Sequence, residues 1–178
     1  DEDGNIHVID GLKESMRLAE IIEDGYIPAK LYKKSSDALI AMKSIGQSFH
    51  AEFRLIATQA IRTAQNRLSF IDHIRKSTGF NIEIIDGVEE ARLSFLGVIQ
   101  GLHFGTQSVL TVDIGGASTE IAVGIEGECQ YLCSLKVGAL MMAKRFGFNQ
   151  NETPPKLSEM ISFIEMRMMP LGEDLQTD

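Results

Sequence analysis

Positive charge, cysteine and long apolar runs are all scarce in this chain. Lys and Arg number 17 against 25 Asp and Glu in 178 residues, a formal net charge of −8. An acidic balance of this size argues against general binding to nucleic acid or to an anionic membrane surface, since both need a basic face to neutralise phosphates. The most apolar stretches, such as residues 95–102, fall far short of the roughly 18 residues that a membrane-spanning helix requires. Asp1-Glu2-Asp3-Gly4 has neither the basic start nor the apolar middle of a secretory leader, so a cytoplasmic setting is expected. The only cysteines, Cys129 and Cys133, fall on one extended run. At ~3.3 Å per residue their Cα atoms lie about 13 Å apart, beyond the reach of a disulfide. His7, His50, His73 and His103 are scattered without metal-ligand spacing.

What is present is a globular composition, 44% hydrophobic and 24% charged, in which apolar periodicity alternates between strand and helix. Residues 6–9, 53–57 and 82–85 read as strands. Helices are expected from Ser35 or Ser36 as N-cap through Phe49, over 58–66, and over 68–77 with Gly79 as the stop. The turn Asp86-Gly87 leads into a long helix over 88–102 with Ala91, Phe95, Val98 and Leu102 on one face. Beyond Gly105 three β runs, 109–112, 120–123 and 129–135, form a meander. A helix over 139–146 follows, then a last helix started by Pro154-Pro155 and ended by Pro170, with Met160, Ile161, Ile164 and Met168 inward. The change of texture puts a lobe boundary near residue 106, dividing the chain into 1–106 and 107–178.

Three strand ends carry groups suited to phosphate chemistry, and α/β sheets gather ligands at such edges. In Asp113-Ile114-Gly115-Gly116-Ala117-Ser118-Thr119-Glu120 adjacent glycines let backbone N–H groups approach an anion, Ser118 adds a hydroxyl, and Asp113 could hold a metal or its water. In Asp86-Gly87-Val88-Glu89-Glu90-Ala91-Arg92 two acidic residues open a helix. Neighbouring helix positions diverge by ~100°, so at most one of them serves a site. In Ala57-Thr58-Gln59-Ala60-Ile61-Arg62 a strand gives way to a helix bearing an arginine, the residue that clamps phosphate bidentately.

Taken in order and spacing, these stretches resemble the exopolyphosphatase and guanosine pentaphosphate phosphatase (Ppx/GppA) family. The resemblance continues through Ser134-Leu135-Lys136-Val137-Gly138-Ala139. It implies an α/β, actin-like ATPase (ribonuclease H-like) fold of two lobes, both incomplete in this chain. It also implies hydrolysis of a terminal phosphoanhydride in inorganic polyphosphate or, alternatively, in guanosine pentaphosphate, with Mg²⁺. By motif position Glu90 matches the catalytic carboxylate and Arg62 the phosphate-contacting arginine. Asp113, Gly115, Gly116, Ser118 and Glu120 match the second phosphate loop, with Asp113 and Glu120 on the metal side. The family's third loop glycine is Ala117 here, which would be strained if that position needed φ > 0. The family's first strand and its Asp-x-Gly-Ser-Asn-Ser loop have no counterpart, so the chain is expected to be an internal portion of a longer enzyme and inactive alone. A sheet without its first strand exposes edges that favour association, a homodimer included. A non-catalytic actin-like module that senses nucleotide or polyphosphate is the reading from a different class.

Overall fold

The computed structural model describes residues 8–16, 25–102, 104–147 and 156–174. Compactness divides the chain between Asp86 and Gly87, ahead of the change of texture at Gly105, because the helix that begins at Gly87 packs on the meander.

The first unit is built on α1 (Ala29–Ser48), β1 (Leu55–Ala57), α2 (Gln59–Thr63), α3 (Arg67–Thr78) and β2 (Ile82–Ile84). The two strands pair in parallel, Leu55 opposite Ile82 and Ala57 opposite Ile84. The core joins Ile27 and Leu31 to Ala57, Ile61, Ala64, Phe70 and Ile74, with the Tyr32 ring set edge-on to Phe70 at 5.2 Å. Asn66 latches this core: its Oδ1 accepts from the Ile27 amide and its Nδ2 donates to the Ile27 carbonyl, both at 2.9 Å. Gly79 ends α3 in the left-handed region at φ 77°, where a glycine avoids the Cβ clash.

Four expectations need correction here. The first helix begins at Ala29 after Pro28 rather than at Ser35 or Ser36. Both serines are buried inside it, and the Ser36 hydroxyl donates back to the Tyr32 and Lys33 carbonyls. Small polar residues on the inward face hid its first two turns from a hydrophobic count. The second helix stops at Thr63, since Ala64 is extended and Asn66 already caps α3. The strand expected over 53–57 starts only at Leu55. Val8 and Ile9 are exposed and in no strand, having no partner strand to pair with among the described residues; Ile6 and His7 lie outside those residues.

The second unit opens with α4 (Gly87–Gly101), continues through the antiparallel meander β3 (Ser108–Ile114), β4 (Thr119–Ile125) and β5 (Glu128–Leu135), and closes with α5 (Ala139–Phe146) and α6 (Leu157–Asp174). Helix α4 covers the face that carries Val109, Thr111 and Asp113. Phe95 is fully buried there over Gly124, where an added Cβ would stand 2.2 Å from its ring. On the other face α5 and α6 pack through Val137, Met142 and Phe146 with Met160, Phe163 and Ile164. An apolar groove of about 790 Å³ remains between them and Leu110, Val112 and Ile114. Of the expected inward set on the last helix, Met160 and Ile164 pack and Met168 lines the same groove, whereas Ile161 is exposed and off it. Pro170 lies inside α6 instead of ending it; Pro154 and Pro155 fall outside the described residues. Leu102 lies past the end of α4 and is exposed. Cys129 and Cys133 are free thiols on β5, as their strand spacing requires. None of the described helices is long and apolar enough to cross a membrane.

Candidate active site

In the first unit the candidate residue is Arg62. Its short helix α2 follows β1 after one residue, Thr58, which turns the chain at the carboxyl edge of the parallel pair. The guanidinium is half-buried and donates to the Ile85 carbonyl and to Gln59 Oε1. These contacts fix it where β2 ends, at the strand edge that α/β sheets use for ligands.

In the second unit the candidate residues are Glu90, Asp113, Gly115, Gly116, Ser118 and Glu120. Glu89 and Glu90 open α4, and the structure gives them different surroundings. Glu89 forms a two-pronged pair with Arg92, Nε to Oε2 and Nη2 to Oε1, both at 2.7 Å. That carboxylate raises the Arg92 guanidinium above its ordinary value. Glu90 is half-buried and lies four residues before Ser94, on the same helix face. Ser94 Oγ donates to Asp113 Oδ2 at 2.9 Å, so this face of α4 looks onto the end of β3. A cleft of about 460 Å³ opens beside them, lined by Ser94, Gly97, Thr111 and Asp113 among others.

Cross-strand register lines up the second carboxylate. Asp113 stands opposite Glu120, and Glu120 opposite Ser134, which puts all three on the α4 side of the sheet. Asp113 is exposed, whereas Glu120 is only 3% exposed and its Oε1 accepts from Ser134 Oγ at 2.7 Å. Among the described residues no group of three or more His, Cys, Asp or Glu could by itself hold a metal ion.

The loop after β3 is closed by the Gly115 amide, which donates to the Ser118 carbonyl at 2.9 Å; Ser118 is 3% exposed. Ala117 does not adopt a positive φ, so alanine in place of the family's third glycine is unstrained. The loop carbonyls are engaged by α5: the Ala139 amide donates to the Gly115 carbonyl at 2.9 Å, and the Leu140 and Met141 amides to that of Gly116 at 3.0 Å.

Within the second unit the structure thus brings Glu90, Asp113, Glu120 and the loop residues Gly115, Gly116 and Ser118 to one end of one sheet. Two residues escaped the sequence reading. Ser94 was within reach, since its four-residue spacing from Glu90 assigns it to the same face. Ser134 needed the register of β4 and β5, which a bulge at Val123/Gly124 shifts.

The model of the Ppx/GppA phosphatase family matches residues 1–178. Exopolyphosphatase 1 of Mycobacterium tuberculosis is 33% identical over 132 residues, covering 71% of this chain and 38% of that protein. The guanosine-5'-triphosphate,3'-diphosphate pyrophosphatase of Photobacterium profundum is 29% identical over 172 residues, 96% of this chain and 34% of that protein. The chain therefore spans about a third of the curated relatives it matches. Among solved structures, an exopolyphosphatase from Cytophaga hutchinsonii matches with a TM-score of 0.79 at 26% identity, over 86% of this chain and 50% of that one. The α/β fold expected from the resemblance is the fold of these solved relatives.

Proposed function

The chain belongs to the Ppx/GppA phosphatase family, whose members hydrolyse phosphoanhydrides, and from that premise we propose that it carries part of the active site of an exopolyphosphatase, which releases the terminal phosphate of inorganic polyphosphate. The observation that supports this reading is the contact of Ser94 with Asp113, which puts the α4 face that also bears Glu90 at the end of β3, the strand that leads into the glycine loop. Phosphoryl transfer asks for positioning and charge neutralisation rather than covalent help. Glu90 orients the attacking water and takes its proton. Arg62 clamps phosphate oxygens through its fork of donors. The peptide N–H groups around Gly115 and Gly116, with the Ser118 hydroxyl, receive a neighbouring phosphate.

Mg²⁺ suits this donor set. It binds through one or two carboxylates and completes its shell with water and substrate phosphate oxygens, which fits two carboxylates in register and no larger acidic cluster among the described residues. Asp113 is the carboxylate that reaches solvent, and buried Glu120 stands opposite it in the sheet register. When bound, the ion would neutralise charge on the anhydride. Two free thiols suit a reducing, cytoplasmic setting.

Guanosine pentaphosphate is the second reading, favoured by the Photobacterium relative, whose match spans 96% of this chain. The test is phosphate release from polyphosphate and from guanosine pentaphosphate, assayed in parallel with Mg²⁺ on the longest natural chain that contains these residues. Faster release from polyphosphate is expected. A preference for guanosine pentaphosphate reverses the order of the two readings, and binding without release of either would make the protein a sensor.

A further inference from the structure

Residues 135–139 supply no side chain to the phosphate chemistry above, yet they and the helix they lead into touch the glycine loop at three points. The amides of Ala139, Leu140 and Met141 take the carbonyls of Gly115 and Gly116 as acceptors. Gly138, extended at φ −131° and ψ 154°, lies so close to the loop that a Cβ there would stand 2.4 Å from the backbone N and C of Ala117. The Thr119 hydroxyl, where the loop re-enters β4, donates to the Val137 carbonyl.

A trans peptide points its C=O and the next N–H in opposite directions. Fixing the Gly115 and Gly116 carbonyls on α5 therefore turns the Gly116 and Ala117 N–H groups away from α5. Glycine peptides flip readily because both signs of φ are open to them, and a flipped peptide would present a carbonyl oxygen to an incoming anion. We propose that Gly138 and the first turn of α5 form a positioning brace that holds the loop's N–H groups toward the substrate phosphate. This rests on the reading of the loop as a phosphate site.

Two variants separate positioning from folding. Gly138→Ala forces a Cβ against loop backbone and displaces the loop or unfolds the unit. Ala139→Pro is milder: proline fits the first helical position, and the residue before it is already extended as proline demands. It deletes only the amide that donates to Gly115. Ala139→Gly retains that amide and serves as the rescue.

In the longest natural chain, kinetics on polyphosphate, calorimetric binding of inorganic triphosphate, melting temperature and amide exchange over 115–118 are measured. Ala139→Pro is expected to melt within about 3 °C of the parent, while KM and the triphosphate Kd rise about five- to tenfold, the size of one lost hydrogen bond. The Gly115 amide should exchange faster, and Ala139→Gly should restore all three values. Parent-like KM, Kd and exchange in a folded Ala139→Pro protein would overturn the brace, whatever Gly138→Ala does. A parent protein that neither binds triphosphate nor releases phosphate would overturn the phosphate-site reading instead; the exchange of Gly115 in Ala139→Pro then decides the brace alone, acceleration supporting it and an unchanged rate removing it.

Discussion

In residues 1–86 the candidate phosphate contact is a side chain, and in residues 87–178 it is largely main chain. Arg62 stands on a helix of five residues and is steered by two acceptors, the Ile85 carbonyl and Gln59. The glycine loop is steered by three helix amides, a close approach at Gly138 and a threonine hydroxyl. A flexible side chain needs a well-packed floor, and the first unit supplies one in the continuous cluster from Ile27 to Ile74. A backbone loop needs its peptide planes fixed, and the second unit does this locally while leaving Leu110, Val112 and Ile114 more than half exposed on the far face of its sheet. Order at a site does not require order everywhere in the unit that carries it.

The sharpest break of this comparison is at Glu90, which belongs to neither kind of contact. Glu90→Gln is expected to lower kcat by about 10²–10⁴-fold with little change in polyphosphate binding, because glutamine keeps the size and loses the proton acceptor. Glu89→Gln should change the rate only slightly, since its carboxylate is committed to Arg92. Steady-state kinetics on both variants checks this; a larger loss in Glu89→Gln would move the catalytic carboxylate by one position.

Next in size is Arg62→Ala. A charge-assisted contact made in ground and transition states alike is worth about 1.5–3 kcal/mol, so KM should rise about 10- to 100-fold, with kcat/KM falling at least as far. Arg62→Lys retains the charge and loses the planar fork, and should recover only part of the affinity. Full recovery would mean that the guanidinium acts as a point charge, no better steered than a surface lysine.

Stability separates the two units as well. Ile74 is fully buried in the first, whereas Leu110 is 63% exposed in the second. Ile74→Ala should cost about 2–5 kcal/mol, and Leu110→Ala no more than about 0.5 kcal/mol, read from urea denaturation. A cost above about 1 kcal/mol at Leu110 would show that its face is covered in the natural protein.

Much of this was legible in the residues, and where it was not the reasons differ. The meander from Ser108 to Leu135 alternates cleanly about two turn signals, and its strands emerged one to three residues longer than periodicity marked. The three phosphate motifs could be placed on their elements because each combines a strand end with a chemically distinctive residue. The start of α1 was hidden because Ser35 and Ser36 are buried without being hydrophobic. Pro170 was read as a stop although α6 continues through it. The engagement of the loop carbonyls by α5 had no side-chain signature except Gly138, since backbone hydrogen bonds leave no mark on residue identity.

The smallest expected effect lies on the surface, where ion pairs on α3 and α4 can be compared between the units. In the first, Asp72 on α3 accepts from both Arg75 and Lys76, at 2.8 and 2.6 Å. In the second, Glu89 on α4 pairs with Arg92. Hydrogen bonds from Lys76, then from Arg75, hold the Asp72 carboxyl below its ordinary value of 3.8. A depressed carboxyl stabilises the fold above its unfolded pKa and loses that contribution as pH falls through the lower folded one. The α3 cluster should therefore weaken only in strong acid. The raised value of Arg92 stabilises at every pH below its unfolded range and leaves no mark in that window. Because all these groups are exposed, the effect on stability should be slight and should fade as salt is added. Carbon-detected NMR titration of the Asp72 carboxyl at low salt should give a midpoint below 3.8, shifting upward in Lys76→Ala more than in Arg75→Ala. A midpoint at or above the ordinary value would mean that the two cations spend little time on Asp72 in solution. The α3 cluster would then hold its acid no more firmly than a lone surface aspartate.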